Sequence, residues 1–103
     1  MELSLIAEAE VELFSVLISG VAQSYTSGCR LNFFTPELGC TVVGEVQFPQ
    51  QQLTPGGNTL ANIAFFDWGP FKQLLKPGLE LEIRDRNIAV GYAKITILDL
   101  SNT

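Results

Sequence analysis

The side chains able to do chemistry are few and grouped. Glu8, Glu10 and Glu12 recur at every second residue, Glu80 and Glu82 repeat that spacing, and Arg84 and Arg86 follow directly. Paired carboxylates can act as general acid and base when their environments separate their proton affinities. Residues two apart on a strand share one face, however, and here that face alternates with apolar residues, so the acids read as a solvated outer surface. The chain contains no histidine, which removes the usual general base and the usual activator of a serine or cysteine nucleophile. Two cysteines alone fall short of a zinc ligand set, and no oxygen-rich calcium loop is evident. The expectation is a protein with no catalytic residues, no metal and no cofactor.

Arg84 and Arg86, with Lys94 across a hairpin, form a small basic patch that could touch a phosphate. Glu82 and Asp85 stand among them, and surface ion pairing is the preferred reading. Arg30 precedes an aromatic strand, and both a structural hydrogen-bonding role and a partner contact are open to it. Cys29 and Cys40 are expected as unpaired, buried thiols rather than a disulfide.

The elements that would position these groups are strands. Ala9, Val11 and Leu13 interleave with Glu8, Glu10 and Glu12, which predicts a strand over about 6–14 with one buried face. Further strands are expected over 29–34, 41–48 and 59–66, separated by Thr35-Pro36-Glu37-Leu38-Gly39 and by the turn Thr54-Pro55-Gly56-Gly57-Asn58. Gln50-Gln51-Gln52 reads as a polar loop, and residues 72–75 as one helical turn stopped by Pro77-Gly78. Leu79, Leu81 and Ile83 then alternate with Glu80, Glu82 and Arg84, turn through Asp85-Arg86-Asn87, and return over 88–98 as a hairpin. Six short strands without a long amphipathic helix imply an all-β closed barrel or sandwich.

Composition bounds the rest. At 103 residues, 47% hydrophobic and 17% charged, the chain suits a single ordered domain over 1–103. The formal net charge of −5 repels phosphate on average. No apolar run of about 18 residues is present for a membrane span. Met1-Glu2-Leu3-Ser4-Leu5 lacks the basic start of a secretory signal, so the cytoplasm is the expected location.

In order, the segments Ala9-Glu10-Val11-Glu12-Leu13-Phe14-Ser15, Cys29-Arg30-Leu31-Asn32-Phe33-Phe34, Val43-Gly44-Glu45-Val46-Gln47-Phe48-Pro49, Thr54-Pro55-Gly56-Gly57-Asn58 and Leu79-Glu80-Leu81-Glu82-Ile83-Arg84-Asp85 form a series. Closing on Ala89-Val90-Gly91-Tyr92-Ala93, that series resembles the third, C-terminal domain of the elongation factor Tu family. The resemblance implies a six-stranded antiparallel closed barrel. In that family the domain stacks on a GTPase domain and helps hold the T-stem of aminoacyl-tRNA. The chain has no phosphate loop of the GxxxxGK[ST] kind. A segment with a histidine in the family is Ala22-Gln23-Ser24-Tyr25 here, and the hairpin glycine pair is replaced around Arg86-Asn87-Ile88.

Where the family has a charged hairpin, this chain has Val16-Leu17-Ile18, and Phe65, Phe66, Trp68 and Phe71 form a second apolar concentration. Each is either core or a contact surface. The expected function is a non-catalytic protein-interaction module, regulatory or immunity-type, binding another protein or itself through Val16, Leu17, Ile18, Trp68 and Phe71. The alternative is a translation-associated domain touching tRNA through Arg30, Arg84 and Arg86. DNA and membrane partners are not expected.

Overall fold

Strand β1 (Leu3–Leu13) follows the two-residue period: Leu5, Ala7, Ala9, Val11 and Leu13 are buried, while Glu10 and Glu12 face water. The computed structural model describes residues 2–17, 20 and 22–99. The other elements are β2 (Tyr25–Thr26), β3 (Cys29–Phe34), β4 (Thr41–Gln47), β5 (Gln52–Leu53), β6 (Asn58–Phe66), helix α1 (Gly69–Leu74), β7 (Glu80–Asp85) and β8 (Ile88–Asp99). Six strands close into a barrel in the order β1-β6-β4-β3-β7-β8, all neighbours antiparallel, with β8 returning to β1. Closure gives each of the six strands a hydrogen-bonded neighbour on both sides.

The interior is filled by mixing large and small side chains. Phe33, Phe65 and Phe71 have no exposed surface, and Ala7, Ala9, Ala61 and Ala93 make room for them. Phe33 meets Phe65 edge-on with centroids 5.1 Å apart, and Phe65 lies 4.9 Å from Phe71. Each buried large side chain contributes about 1.5–3 kcal/mol by leaving water. Gly44 on β4 completes the fit, because a Cβ there would sit 2.9 Å from Ile63 Cγ2 and from Phe33 Cε1.

Strand β8 shifts register twice. Against β7, Ile83 pairs Gly91 and Arg84 pairs Ala89, which leaves Val90 without an opposite residue. Against β1, Glu8 pairs Ile97 and Ala9 pairs Ile95, which leaves Thr96 over. Thr96 turns its hydroxyl onto β1, donating to the Glu8 carbonyl at 3.0 Å. One extra residue in a strand sharpens its local bend and twist, which helps a narrow sheet close. The turn between β7 and β8 is Arg86-Asn87, both at positive φ (54° and 66°), the two-residue geometry whose twist suits a hairpin.

The two barrel ends are covered differently. At the end where β1 begins, α1 starts at Gly69 with Pro70 in its first turn, where a missing amide proton costs nothing, and inserts Phe71 into the core. The helix thus starts three residues before, and ends one residue before, the turn expected over 72–75. At the end where β1 finishes, β2 and β5 form a small ribbon that buries Tyr25 and Leu53. Two-residue strands carry no readable period, so their segments look like turn and polar loop in the sequence. The ribbon is fastened by Ser27 N–H to the Gln51 carbonyl at 2.8 Å and Phe48 N–H to Ser27 Oγ at 2.8 Å.

Candidate functional site

The alternation that builds the core also decides what faces out. On neighbouring strands, Glu10 lies between Leu60 of β6 and Lys94 of β8, and Glu12 lies between Asn58 and Tyr92. Lys94 in turn opposes Glu80 of β7. Acids from β1 and β7, expected only as a solvated outer surface, are thereby gathered around one groove, with the ammonium of Lys94 in their midst. Their side chains border a groove of about 740 Å³ on the outside of the barrel, lined also by Leu60 and Tyr92.

Leu60 and Tyr92 are 49% and 53% exposed, at outward positions where strand alternation calls for polar residues. Tyr92 is held upright by Phe14, the rings meeting edge-on at 5.1 Å. An aromatic ring fixed in advance loses little freedom on contact and presents both apolar area and a hydroxyl. The signal in the sequence was Leu60 between Asn58 and Asn62, an apolar residue on the wrong phase of the period.

The apolar contact residues expected from the sequence do not form one surface. Val16 is 78% exposed, and Leu17 is half-buried against the core, bridged to Gly20. Ile18 lies outside the described residues. Trp68 is half-buried on the core immediately before α1. Phe71 has no exposed surface, because α1 drives it between the strands against Phe65, and a partner would find nothing of it to touch. Val16 follows the end of β1 and Trp68 sits near its start. Ten steps at about 3.3 Å separate the two ends of β1 by up to roughly 30 Å, so the two residues lie at opposite ends of the barrel.

The arginines share an outer face but are largely engaged. Arg30 lies opposite Glu45, Nε to Oε1 3.5 Å, on an exposed surface. Arg84 donates to Glu82 on its own strand at 2.5 Å and lies over the Phe34 ring, 3.9 Å from its centroid. Arg86 occupies the hairpin turn, exposed. Lys94 belongs to the acidic groove and not to this group.

A polar cluster the sequence did not reveal closes the ribbon end. Tyr25 donates its hydroxyl to Asp85 Oδ2 at 2.7 Å, and Gln23 Nε2 donates to the same oxygen at 2.9 Å. Burial, with the Asp85 carboxylate beside it, pushes the Tyr25 phenol up to about 12. Burial likewise raises the Cys29 thiol, with Asp85 and Glu45 adding to it. Both groups are therefore held protonated, the opposite of what an activated nucleophile requires. Cys29 and Cys40 are both free thiols, and Cys40 is exposed where a buried one was expected. They flank β3 and the start of β4, five or so residues of strand apart, far beyond the roughly 7 Å Cα limit for a disulfide.

Among the described residues no group of three or more acids and cysteines is placed to hold a metal ion, and no helix is long and apolar enough to cross a membrane. Fold and surface together define an all-β, closed six-stranded antiparallel barrel with an acidic outer groove. No protein-family model matches the chain, and comparison with curated proteins finds no match.

Proposed function

We propose that this protein is a non-catalytic interaction module that docks another protein on the outer face of β6, β1, β8 and β7. The observation that carries the reading is the groove in which Leu60 and Tyr92 stand exposed among charged residues. A fixed aromatic and an aliphatic side chain on either side of β1, ringed by polar groups, have the composition of a contact centre with a polar rim. The resemblance of the sequence to the third domain of elongation factor Tu points the same way, since that domain works by docking; a regulatory or immunity-type role would use such a scaffold.

The test is a Leu60→Ser, Tyr92→Ala double variant, whose changes lie on the surface and should leave thermal unfolding within a few degrees of the parent. Partners cross-linked to the parent in its own cells are identified, purified and titrated calorimetrically against both proteins. At least tenfold weaker binding by the variant is expected. A partner bound equally well by both would refute the reading. The alternative, tRNA contact through Arg30, Arg84 and Arg86, is weakened by Glu45 and Glu82, which already engage two of the three guanidiniums.

A further inference from the structure

The outer groove continues past β6. A second depression of about 400 Å³, bordered by Glu8 of β1, Asn62 of β6 and Phe48 just beyond β4, shares Leu60 with the first. Together they run across five neighbouring strands, β7, β8, β1, β6 and β4, in the order in which the barrel joins them. Four inter-strand spacings of about 4.8 Å make a path, curved around the barrel, of at least roughly 19 Å. An extended chain advances about 3.3 Å per residue, so the track accommodates about six residues or more.

The charge along the track is one-sided. Glu8, Glu10, Glu12 and Glu80 border it against the single ammonium of Lys94. A second copy of this chain presenting the same face would bring like charges together, and a nucleic acid would bring phosphates to carboxylates. Lysine or arginine side chains meet the opposite case, with their long stems free to cover Leu60 and Tyr92 while their heads reach the acids.

From this we infer that the groove receives an extended, basic segment of a partner protein, about six residues long or more, that carries both Lys or Arg and apolar side chains. The inference rests on the interaction-module reading and names the partner's chemistry. Both kinds of side chain are called for because the track presents both: Glu80, Lys94, Glu10 and Leu60 follow one another across β7, β8, β1 and β6, with Tyr92 beside Lys94 on β8. The bound segment lies across the strands and is held by side chains, because the barrel strands already pair with one another.

Three fluorescein-labelled hexapeptides test it by fluorescence anisotropy: leucine alternating with lysine, with serine, and with glutamate. The lysine peptide binds, its affinity falls at least tenfold between 50 and 300 mM salt on the order expected for several charge contacts, and the other two bind at least tenfold more weakly. Glu10→Lys and Glu80→Lys each weaken the lysine peptide about tenfold. Glu2→Lys, an equal change of charge at an exposed residue away from the groove, leaves it within twofold. Equal loss with Glu2→Lys, or equal binding of the glutamate peptide, overturns the inference. If the serine peptide binds best and Tyr92→Ala abolishes it, the basic-segment inference falls while the interaction module stands. If no peptide binds, the inference falls, and the module is judged on its cross-linked partner alone.

Discussion

Gly44→Ala adds one methyl group at the tightest point of the barrel. Gly44 does not need positive φ, so alanine is permitted by the backbone and even gains about 0.4–1 kcal/mol from a less flexible unfolded chain. Against that, the new Cβ would meet Ile63 Cγ2 and Phe33 Cε1 at 2.9 Å and Phe65 Cδ1 at 3.1 Å, where unstrained carbons lie about 3.5–4.0 Å apart. The aromatic pair cannot retreat freely, since Phe65 is already backed by Phe71. Overpacking of this kind costs about 1–3 kcal/mol, so a net loss of roughly 1–2 kcal/mol is expected. With a urea slope of about 1–3 kcal/mol/M for a small domain, the unfolding midpoint should fall by roughly 0.3–2 M. Ile63→Leu supplies an internal check, because leucine has no Cγ2 at the clash while nearly conserving volume. In the double variant the two changes should be less than additive by about 0.5 kcal/mol or more. A Gly44→Ala protein as stable as the parent, or strictly additive changes, would refute the packing argument.

Three further outcomes follow from the same structure. Phe71→Ala should lower stability by about 3–5 kcal/mol, the range for emptying a buried aromatic site, in chemical denaturation, whereas a surface contact residue would cost almost nothing. Tyr25 keeps its proton in the folded state up to about 12 against 10 as the ordinary value, so the unfolded chain binds fewer protons in between and stability falls as pH rises from 10 towards 12. At about 1.4 kcal/mol per factor of ten in proton affinity this loss reaches at most roughly 3 kcal/mol, and Tyr25→Phe should flatten the stability profile over that window; an unchanged profile would count against the buried phenol. Exposed Cys40 should react with a thiol reagent at pH 8 at least about tenfold faster than Cys29, whose thiol burial holds in the protonated form, and Cys40→Ser should remove the fast phase.

The sequence by itself determined the class of fold and the inside and outside of its strands. The alternation of Ala9, Val11 and Leu13 with glutamates is a local, one-dimensional signal, and the same holds for Leu81 and Ile83 between Glu80, Glu82 and Arg84. Cys29–Phe34 is a strand with the bounds expected of it, and β4 and β6 differ by one residue at one end. The turn before β8 was legible within a residue because the polar run Asp85-Arg86-Asn87 interrupts two alternating stretches, while the positive φ of Arg86 was not foreshadowed by its residue type. The β2-β5 ribbon was not legible, since two residues cannot show a period, and neither was the insertion of Phe71 by α1, since an aromatic in so short a helix looks the same whether it points into a barrel or away from it. The tertiary structure alone decided which outer residues meet. Glu10, Glu80, Leu60 and Tyr92 come from four strands spread along the chain, and only the order in which the barrel closes places them around one groove, with Lys94 among the acids rather than beside Arg84 and Arg86. Face is set by neighbours in sequence; company on that face is set by strand order and register, which no local pattern encodes.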